Sequence, residues 1–465
     1  MNPVGLPTSI VIFGITGDLA RRKLLPALYR AVKDGLLHEA TDIVGVSRGE
    51  TGNEVVLANT RARIMQLDGT CDEEAFKKFA DMLHMYKMDL VNSGDYSGLR
   101  THLDQLEAQH GICMNRLYYL AIPPQVFEPV VANFGKSGLN EHCPHGTGQS
   151  HLLVEKPFGF DTASAEELVR TISAVFAEEQ VFRIDHYLAK ETVQNILTFR
   201  AANPIFEPLW NNQYIRSIRI VAEEKIGIEG RAAFYEQIGA LRDFVQSHLL
   251  QLLAITTMEV PHDITSDTIH AAKLSLLEAI EPVPADKVTE RVFRAQYEGY
   301  RSEVGKPDSN VETYVELELY INSPRWQRVP IRLRTGKGLA ETQTSISITF
   351  GKSDSESTNV LTFSIQPNES IGIDLCAKRP GFEQTLQRVA MDFTYARSFA
   401  SDREPDAYER VLVDALRSDH SLFATSAEVL TSWRILQPVL DAWAKSAKDL
   451  AVYPIGSAHL SPSPV

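Results

Sequence analysis

The sequence predicts an α/β fold for the first part of the chain and a strand-rich, mainly antiparallel fold for the rest. The first prediction rests on a short apolar run at residues 9–13, followed by a glycine turn and a helical pattern. The second rests on alternating apolar and polar residues at 315–321, 346–350 and 361–365, the pattern of strands with one buried face. With 465 residues, the chain is long enough for two domains with substantial cores.

The glycine turn has the features of a phosphate-binding turn. Gly14 and Gly17 follow the first predicted strand, and the helical pattern continues through Leu24 and Leu28. Glycines allow a tight turn and a close approach of the backbone to a pyrophosphate, whose charge is favoured at a helix N-terminus. The spacing G-x-x-G-x-x-A departs from the usual dinucleotide fingerprint, so this pattern alone is weak evidence.

The end of the next predicted strand, at 42–46, bears on the choice of cofactor. In a dinucleotide-binding fold, an acid at this position accepts hydrogen bonds from the ribose 2′-hydroxyl of NAD, whereas an arginine pairs with the 2′-phosphate of NADP. Arg48 therefore favours NADP, while Glu50 is near enough to leave NAD open. The alternative is that Arg48 is an ordinary surface residue at a strand end.

The segment 185–191 predicts an anion site at a strand-to-helix junction. A strand end is predicted at 181–184, and a helix over 191–197. His186 and Lys190 are then four residues apart on one helical face, where free backbone N–H groups can hold a phosphate. The alternative is that Asp185 caps a solvated helix and binds nothing.

A second helix, predicted over 239–253, carries His248 on its apolar side. A lone histidine on an apolar face is more often a core residue than a catalyst. Beside a buried carboxylate, however, a neutral imidazole becomes a candidate general base, and Asp185 is the candidate acid. Asp243 lies about 140° from His248 around an ideal α-helix, so it is expected to cap the helix or to hold a substrate hydroxyl.

Nine short motifs follow one another along the chain. They are GITGDLARRK (14–23), NRLYYLAIPP (115–124), VEKPFG (154–159), DHYLAKE (185–191), FEPLWN (206–211), RDFVQSHLLQ (242–251), RTGK (334–337), QPNE (366–369) and PDAYER (405–410). In order and spacing they resemble the glucose-6-phosphate dehydrogenase family over nearly the whole chain. The resemblance implies an α/β plus α+β protein. Its Rossmann-like dinucleotide-binding domain would span 1–183, and a larger α+β domain with an extensive, mainly antiparallel sheet would span 184–465 for substrate binding and oligomerisation.

The family resemblance also implies a reaction and its residues. The reaction is the NADP-dependent oxidation of glucose 6-phosphate to 6-phosphogluconolactone, the first step of the oxidative pentose phosphate and Entner–Doudoroff routes, with NAD as a second cofactor option. His248 would be the base and Asp185 would orient it. The residues implied in substrate binding are Lys156, His186, Tyr187, Lys190, Glu224, Asp243, Lys337 and Thr342. Those implied in cofactor binding are Gly14, Thr16, Gly17, Asp18, Leu19, Arg48 and Lys156, and no metal is implied.

Three of these assignments have local alternatives or additions. Glu224 lies in a charged run that is usually a solvated face, and Lys337 follows a glycine in what could be an ordinary turn. Lys156 precedes Pro157, which is usually cis in the family and would stiffen the chain beside the substrate.

Departures from the family pattern bear on the substrate. Ala189 replaces a glycine, Ser247 an asparagine, Ala201 a phenylalanine and Phe160 a residue that is commonly polar. Thr342 replaces a lysine or arginine that adds positive charge to the substrate pocket. We therefore also consider a dehydrogenase acting on a different sugar or sugar derivative, and a non-catalytic regulatory homologue.

Composition excludes several functional classes. A net charge of −14 argues against nucleic acid and anionic membranes as partners. No signal peptide is visible. A helix needs about 20 apolar residues to span a bilayer, and no apolar run in the sequence approaches that length. The four cysteines lack metal-type spacing, which favours reduced thiols in a cytoplasmic protein. The family commonly forms homodimers or homotetramers, so a homo-oligomer is expected.

Overall fold

The structure is a computed structural model that describes residues 6–141, 148–351, 358–399, 403, 405–458 and 460. Its backbone contacts form two compact units, each built from separate stretches of chain. The first unit consists of the described residues of Met1–Gly159, Ala163–Ala189 and Pro405–Ser426. The second unit consists of the described residues of Phe160–Thr162, Lys190–Glu404 and Ala427–Val465.

The strands of the described residues are distributed along the whole chain. They are β1 Thr8–Phe13, β2 Asp42–Ser47, β3 Leu83–Lys87, β4 Asn115–Leu120, β5 Ser150–Val154, β6 Val181–Ile184, β7 Ile215–Glu223, β8 Val292–Tyr297, β9 Tyr314–Leu319, β10 Ile331–Gly336, β11 Gln343–Phe350, β12 Asn359–Gln366, β13 Ser370–Lys378, β14 Leu386–Thr394, β15 Phe423–Ala424 and β16 Leu450–Tyr453.

The helices include two π-helical segments. The α-helices are α1 Leu25–Lys33, α2 Asn53–Asp68, α3 Glu73–Asp81, α4 Ser93–His110, α5 Phe127–Ser137, α6 Thr162–Ser173, α7 Glu191–Ala202, α8 Ala232–Ala240, α9 Leu250–Thr257, α10 Ser266–Ala279, α11 Val288–Arg291, α12 Tyr300–Val304, α13 Tyr395–Ser398, α14 Ala407–Leu416 and α15 Ser426–Lys445. The π-helical segments are Ala20–Leu24 and Leu241–Leu249, and 3₁₀ turns occur at Pro124–Val126, Glu178–Gln180, Glu207–Leu209 and Ala285–Lys287. Among the helices in the described parts of the chain, none has the length and apolar character needed to cross a bilayer.

The first unit is built on a mostly parallel sheet. Over the residues that the structure describes, seven strands lie in the order β15-β6-β5-β4-β1-β2-β3. All neighbours are parallel except β15, which pairs antiparallel with β6. Every residue of β1 is buried, as expected for a strand covered on both faces. With β1 central and the order reversing there, the predicted Rossmann-like fold is confirmed.

The second unit is built on a larger mixed sheet. Its described strands, nine in number, lie in the order β14-β13-β12-β11-β7-β10-β9-β8-β16. The pairs β7–β10 and β8–β16 are parallel and the other neighbours are antiparallel. The predicted alternation is present, since Leu317, Ile346, Ile348, Leu361 and Phe363 all point into the core. The prediction of an extensive, mainly antiparallel sheet is therefore confirmed.

The cysteines differ from the prediction in one respect. Cys71 and Cys376 are free thiols, but Cys113 is disulfide-bonded, so the expectation of reduced thiols is wrong for Cys113. Disulfide formation depends on the distance between two Cα atoms, which spacing along the sequence does not show. Cys143 lies outside the described residues.

Candidate active site

The glycine turn after β1 is held close to neighbouring strands. Gly14 has φ +85°, and a Cβ at this position would lie 2.4 Å from the carbonyl oxygen of Ala121, just after β4. The Gly14 N–H donates to the carbonyl of Val46 over 3.1 Å, and Gly17 N–H donates to the carbonyl of Gly14 over 2.8 Å. Because a side chain at Gly14 would be both strained and obstructed, the turn requires glycine there. This compact and partly exposed backbone fits the phosphate cradle of a dinucleotide.

The helix that follows the turn begins as a π-helix, where the sequence predicts regular α-helical spacing. Asp18 is exposed and pairs with Arg21 at 3.0 Å and Arg22 at 3.3 Å. The hydrogen bond from Arg21 is the main cause that lowers the pKa of Asp18. Thr16 is also exposed and Leu19 is half-buried. Two guanidinium groups therefore outweigh the one carboxylate beside the turn, which suits an anionic ligand.

The edge beyond β2 carries three charged side chains. In the described part of the chain, Arg48 is exposed and has no hydrogen bond or ion pair. Glu50 forms an ion pair with Lys87, the last residue of β3, with 2.7 Å between Oε1 and Nζ. Glu50, the acid for which NAD was considered as the cofactor, therefore already has a cationic partner.

The carboxyl end of β5 carries Lys156 and an acid that the sequence analysis did not select. The Lys156–Pro157 peptide bond is cis, as the family resemblance implies. Glu155 accepts a hydrogen bond of 2.5 Å from the hydroxyl of the buried Tyr119. Burial, with a smaller contribution from the charge of Asp185, raises the pKa of Glu155 to about 7 against the opposing effects of Tyr119 and Lys156. The only signal for Glu155 in the sequence was its place in the VEKPFG motif.

The segment after β6 forms turns in place of the predicted helical face. Asp185 accepts a hydrogen bond of 3.0 Å from the backbone N–H of Tyr187. The residues that follow form turns, and α7 begins only at Glu191 with Lys190 in the N-cap position. The prediction that His186 and Lys190 share a helical face is therefore wrong. An aspartate that binds the backbone two residues ahead stabilises a turn, and this competes with helix formation.

His186 lies beside Tyr408, to which no role was assigned from the sequence. Its ring stacks on Tyr408, with 6.2 Å between centroids and 14° between planes. The ammonium of Lys23 lies 5.8 Å from the centroid of the Tyr408 ring and 3.2 Å from Asp406 Oδ2. Lys23 and Tyr408 belong to the first and last of the nine motifs, so only the fold shows that they meet. They add a cation and a phenol to this part of the first unit.

In the second unit, the parallel strands β7 and β10 place Glu224 and Lys337 together. The last paired residues of the two strands are Glu223 and Gly336, so the next residues both leave the same end of the sheet. Lys337 forms an ion pair with Glu224 through Nζ and Oε2. Its side chain is 3% exposed, and Nζ lies 5.4 Å from the ring centroid of Tyr235. The alternative of an ordinary turn does not account for this buried and paired ammonium of Lys337.

The predicted helix at 239–253 is interrupted and changes type. Gly239, with φ 67° and ψ 177°, breaks α8, and the chain resumes as the π-helical segment before α9. The buried carboxylate of Glu312 accepts a 2.9 Å hydrogen bond from the N–H of Leu241, and the Glu312 carbonyl accepts one of 3.0 Å from Ala240 N–H. An acid at this end also complements the partial positive charge of a helix N-terminus.

The π-helical segment carries both His248 and Asp243 in a buried setting. His248 is 1% exposed, and the ring of Phe244 lies edge-on at 5.4 Å between centroids. A π-helix bonds residue i to residue i+5, so residues five apart lie on successive turns. In this segment, Asp243 and His248 therefore lie closer to the same face of the helix than they would in a regular α-helix. Such segments frequently occur at functional sites.

Thr342 is exposed and has a local role in the second unit. Its hydroxyl oxygen accepts a 3.0 Å hydrogen bond from the backbone N–H of Lys225. Lys225 directly follows Glu224, so Thr342 supports the turn that carries this acid. A lysine or arginine at this position could not accept that bond.

The predicted site residues are divided between the units. The first unit contains Gly14, Thr16, Gly17, Asp18, Leu19, Arg48, Lys156, Asp185, His186 and Tyr187. The second unit contains Lys190, Glu224, Asp243, His248, Lys337 and Thr342.

Two family models together match almost the whole chain. The model described as "Glucose-6-phosphate dehydrogenase, NAD binding domain" matches residues 11–195. The model described as "Glucose-6-phosphate dehydrogenase, C-terminal domain" matches residues 197–462.

Individual relatives are similar over the same extent. The glucose-6-phosphate 1-dehydrogenase of Chlamydia pneumoniae is 39% identical over 478 aligned residues, covering 97% of this chain and 93% of that protein. The enzyme of the same name from Bacillus subtilis is 37% identical, covering 96% and 94%. A solved glucose-6-phosphate dehydrogenase in complex with its substrate glucose-6-phosphate superposes with a TM-score of 0.91 at 32% identity, covering 99% of this chain and 97% of that one.

Proposed function

Because the chain belongs to the glucose-6-phosphate dehydrogenase family, we propose that it oxidises glucose 6-phosphate at C1 to 6-phosphogluconolactone with NADP. The observation that carries this proposal is the buried imidazole of His248 on the π-helical segment that also holds Asp243. This reaction is the first step of the oxidative pentose phosphate and Entner–Doudoroff routes.

His248 is proposed to act as the general base. Its imidazole takes the proton of the C1 hydroxyl while the C1–H bond breaks and the C1–O bond becomes a carbonyl. When bound, NADP supplies a nicotinamide ring that accepts the hydride and its electron pair. We assign Asp185 to orient the imidazole and to stabilise its protonated form, since a carboxylate favours imidazolium.

The remaining predicted residues are proposed to bind the two ligands. Lys156, His186, Tyr187 and Lys190 would hold the sugar phosphate. A second group would hold the sugar hydroxyls and ring: Glu224, Asp243 and Lys337. The cofactor would be held by the turn and the edge beyond β2 through Gly14, Thr16, Gly17, Asp18, Leu19, Arg48 and Lys156.

The ion pair of Lys337 with Glu224 supports this sugar-binding role. It holds a donor and an acceptor side by side at the end of two adjacent strands. Sugar hydroxyls both donate and accept hydrogen bonds, so the two members of such a pair can bond the same hydroxyl, one as donor and one as acceptor. Rigid strand ends hold both groups without loss of side-chain freedom at the moment of binding.

No observation favours another sugar or a non-catalytic role. Thr342 motivated the first of these alternatives, but its hydroxyl bonds the backbone of Lys225, so the substitution has a local structural purpose. The similar proteins described above carry the name glucose-6-phosphate 1-dehydrogenase.

Initial rates test the proposed function directly. Purified protein is given NADP or NAD with glucose 6-phosphate, glucose or other sugar phosphates, and the absorbance of the reduced nicotinamide is followed. We expect rapid NADPH formation from glucose 6-phosphate and much slower turnover of the other sugars. Preferred turnover of another sugar, or none with any sugar, would overturn the proposal.

We also propose that the chain forms a homodimer or homotetramer through the exposed strand β14. This strand lies at one edge of the larger sheet, and Leu386 and Met391 on it are 62% and 63% exposed. Exposed apolar residues on an edge strand favour association. Light scattering coupled to size exclusion should give a multiple of the chain mass, and Met391→Glu should reduce it. A monomeric wild type would reject this proposal.

We also propose how the chain is divided by function and where the protein is located in the cell. The functional division would be a dinucleotide-binding domain at 1–183 and a substrate-binding and oligomerisation domain at 184–465. Hydrogen exchange with and without NADPH checks this division, because cofactor protection should be concentrated before residue 184. We further propose a cytoplasmic location, which fractionation of the native cells would test.

A further inference from the structure

The carboxyl ends of β2 and β3 place Lys87 where a dinucleotide fold reads the ribose. Ser47 and Lys87 are the last register partners of these two parallel strands. The N–H of Met88 continues the ladder by donating to the carbonyl of Ser47 over 3.0 Å. Carboxyl ends of parallel strands share one edge of the sheet, and Arg48 leaves β2 directly after Ser47. Lys87 is therefore adjacent to the position that distinguishes NADP from NAD.

Lys87 engages the one acid close to that position in the sequence. Its Nζ lies 2.7 Å from Oε1 of Glu50, and the hydrogen bond from Lys87 lowers the pKa of Glu50. Arg48 has no ion pair in the part of the chain that the structure describes. The three side chains carry two positive charges and one negative charge, and the negative charge is matched by Lys87 rather than by Arg48.

We propose that Lys87 is a specificity-determining residue for the cofactor. By holding Glu50 in an ion pair, it withdraws the carboxylate from a ribose 2′-hydroxyl and leaves Arg48 to pair with a 2′-phosphate. The inference rests on the dinucleotide use stated in the proposed function, and it concerns how this chain selects NADP over NAD.

The ion pair between Lys87 and Glu50 favours NADP in two ways. An uncompensated Glu50 would accept a hydrogen bond from the 2′-hydroxyl of NAD and would repel the 2′-phosphate of NADP. Lys87 removes the first interaction and offsets the second. The ion pair is solvent-exposed, with side-chain exposures of 58% for Lys87 and 84% for Glu50. The selectivity contributed by Lys87 should therefore weaken at high ionic strength.

Equilibrium binding of NADPH and NADH tests the proposal without relying on turnover. Fluorescence titration of the full-length protein gives both dissociation constants for wild type, Lys87→Ala and Lys87→Ala/Glu50→Gln. We expect Lys87→Ala to lower the preference for NADPH over NADH about tenfold, as one charge near a phosphate can do. The double variant should recover most of the preference, because the exposed acid is then gone.

Lys78→Ala is the matched control. Lys78 pairs with Glu74 on α3 at 2.8 Å, and the two side chains are 63% and 81% exposed, much like Lys87 and Glu50. This variant should leave the nucleotide preference unchanged. The proposal fails if Lys87→Ala retains the wild-type preference, if Lys78→Ala reduces it equally, or if the double variant stays as low as Lys87→Ala.

The same titrations separate this inference from the proposed reaction. Wild-type protein that prefers NADPH but does not oxidise glucose 6-phosphate would reject the reaction while leaving the role of Lys87 to be decided by the variants. Wild-type protein that oxidises glucose 6-phosphate, with a preference unaffected by Lys87→Ala, would reject only the role of Lys87.

Discussion

Glu155 in the first unit and Glu428 in the second are both carboxylates withdrawn from water, but their neighbours differ in charge. Glu155 accepts a hydrogen bond from the neutral phenol of Tyr119, and burial raises its pKa to about 7. Glu428 is fully buried, with Lys273 Nζ at 2.9 Å and His270 Nδ1 at 2.9 Å. Burial alone would raise the pKa of Glu428, but the charge of Lys273 and the hydrogen bond from His270 outweigh it, and the pKa is lowered.

The difference shows that the partner, more than burial, determines whether a hidden carboxyl is charged at neutral pH. Gln251 on α9 donates to Glu428 over 3.0 Å, three residues after His248. In the second unit, the helix of the proposed base is therefore tied to the buried ion pair of Glu428 and Lys273. The first unit has a carboxyl next to Lys156 that changes charge near neutrality.

The largest effect that separates the two regions should come from the proposed base. His248→Asn should lower kcat by about 10²- to 10⁴-fold with little change in KM, since the general base acts in the transition state. His186→Asn in the first unit should mainly raise KM, because its proposed role is to bind the phosphate. Steady-state kinetics of both variants measure this contrast. If both variants showed similar changes in kcat and KM, the assignment of His248 to catalysis and His186 to substrate binding would be wrong.

The next effect concerns the buried charges of the second unit. Glu428→Ala leaves Lys273 buried without its carboxylate, which should cost about 3–5 kcal/mol of unfolding free energy at neutral pH. Because the pKa of Glu428 is lowered, its stabilising contribution exists above the unfolded value of 4.5 and is lost as pH falls through the folded value. Urea unfolding at several pH values measures both trends.

Glu74→Ala on α3 is the control for Glu428→Ala, since its partner Lys78 is exposed. It should change the unfolding free energy by less than about 0.5 kcal/mol. If both variants lost a similar amount of unfolding free energy, the buried ion pair of Glu428 would contribute no more stability than the exposed pair of Glu74.

Glu155 in the first unit should contribute the opposite pH trend, and Glu155→Gln should remove it. The folded-state pKa of Glu155 is raised from 4.5 to about 7, so wild-type stability should fall as pH rises through this window. The loss is on the order of 3 kcal/mol, at ~1.4 kcal/mol per pKa unit. The glutamine still accepts the Tyr119 hydrogen bond, and it should flatten this part of the profile. Thermal or urea unfolding across this pH window measures the difference, and parallel profiles for both proteins would contradict it.

The smallest effect should come from adding charge to the second unit. Thr342→Lys should lower KM for glucose 6-phosphate only a few-fold, because the site is exposed and solvent screens the new charge. Thr342→Val serves as the control, since it removes the hydrogen bond to Lys225 N–H without adding charge. Steady-state KM values distinguish the two. An equal change in both variants would assign the effect to the turn and not to the charge.

The sequence predicted those features that depend on local patterns. Neighbouring residues encode the apolar run of β1, the glycine turn at Gly14 and the alternation in β9, β11 and β12, so these features could be predicted. The π-helical segment could not, since its side chains fit the spacing of an ordinary α-helix. Its boundary depends on Glu312, which lies in the loop before β9 and accepts a hydrogen bond from the N–H of Leu241. The pairing of Glu50 with Lys87 was likewise hidden, because it requires the register of two strands.

The site was predicted least well where local and distant interactions compete. The turn at Asp185 replaces a helix that the spacing of His186 and Lys190 indicated, because the aspartate side chain binds its own backbone. Tyr408 was part of a recognised motif, but its contacts with His186 and Lys23 arise only when the fold brings this late segment beside much earlier parts of the chain.

That late segment also determines when the first unit can be completed during synthesis. Residues 405–426 supply β15, which covers the edge strand β6 by pairing Phe423 with Ile184. Until the ribosome has passed residue 424, β6 remains an open edge, and Phe182 lacks the ring of His420 that stacks on it at 3.9 Å. The nascent N-terminal unit must therefore wait for most of the second unit to be translated. Premature termination between the two stretches would leave an aggregation-prone strand edge, not a free-standing nucleotide-binding domain.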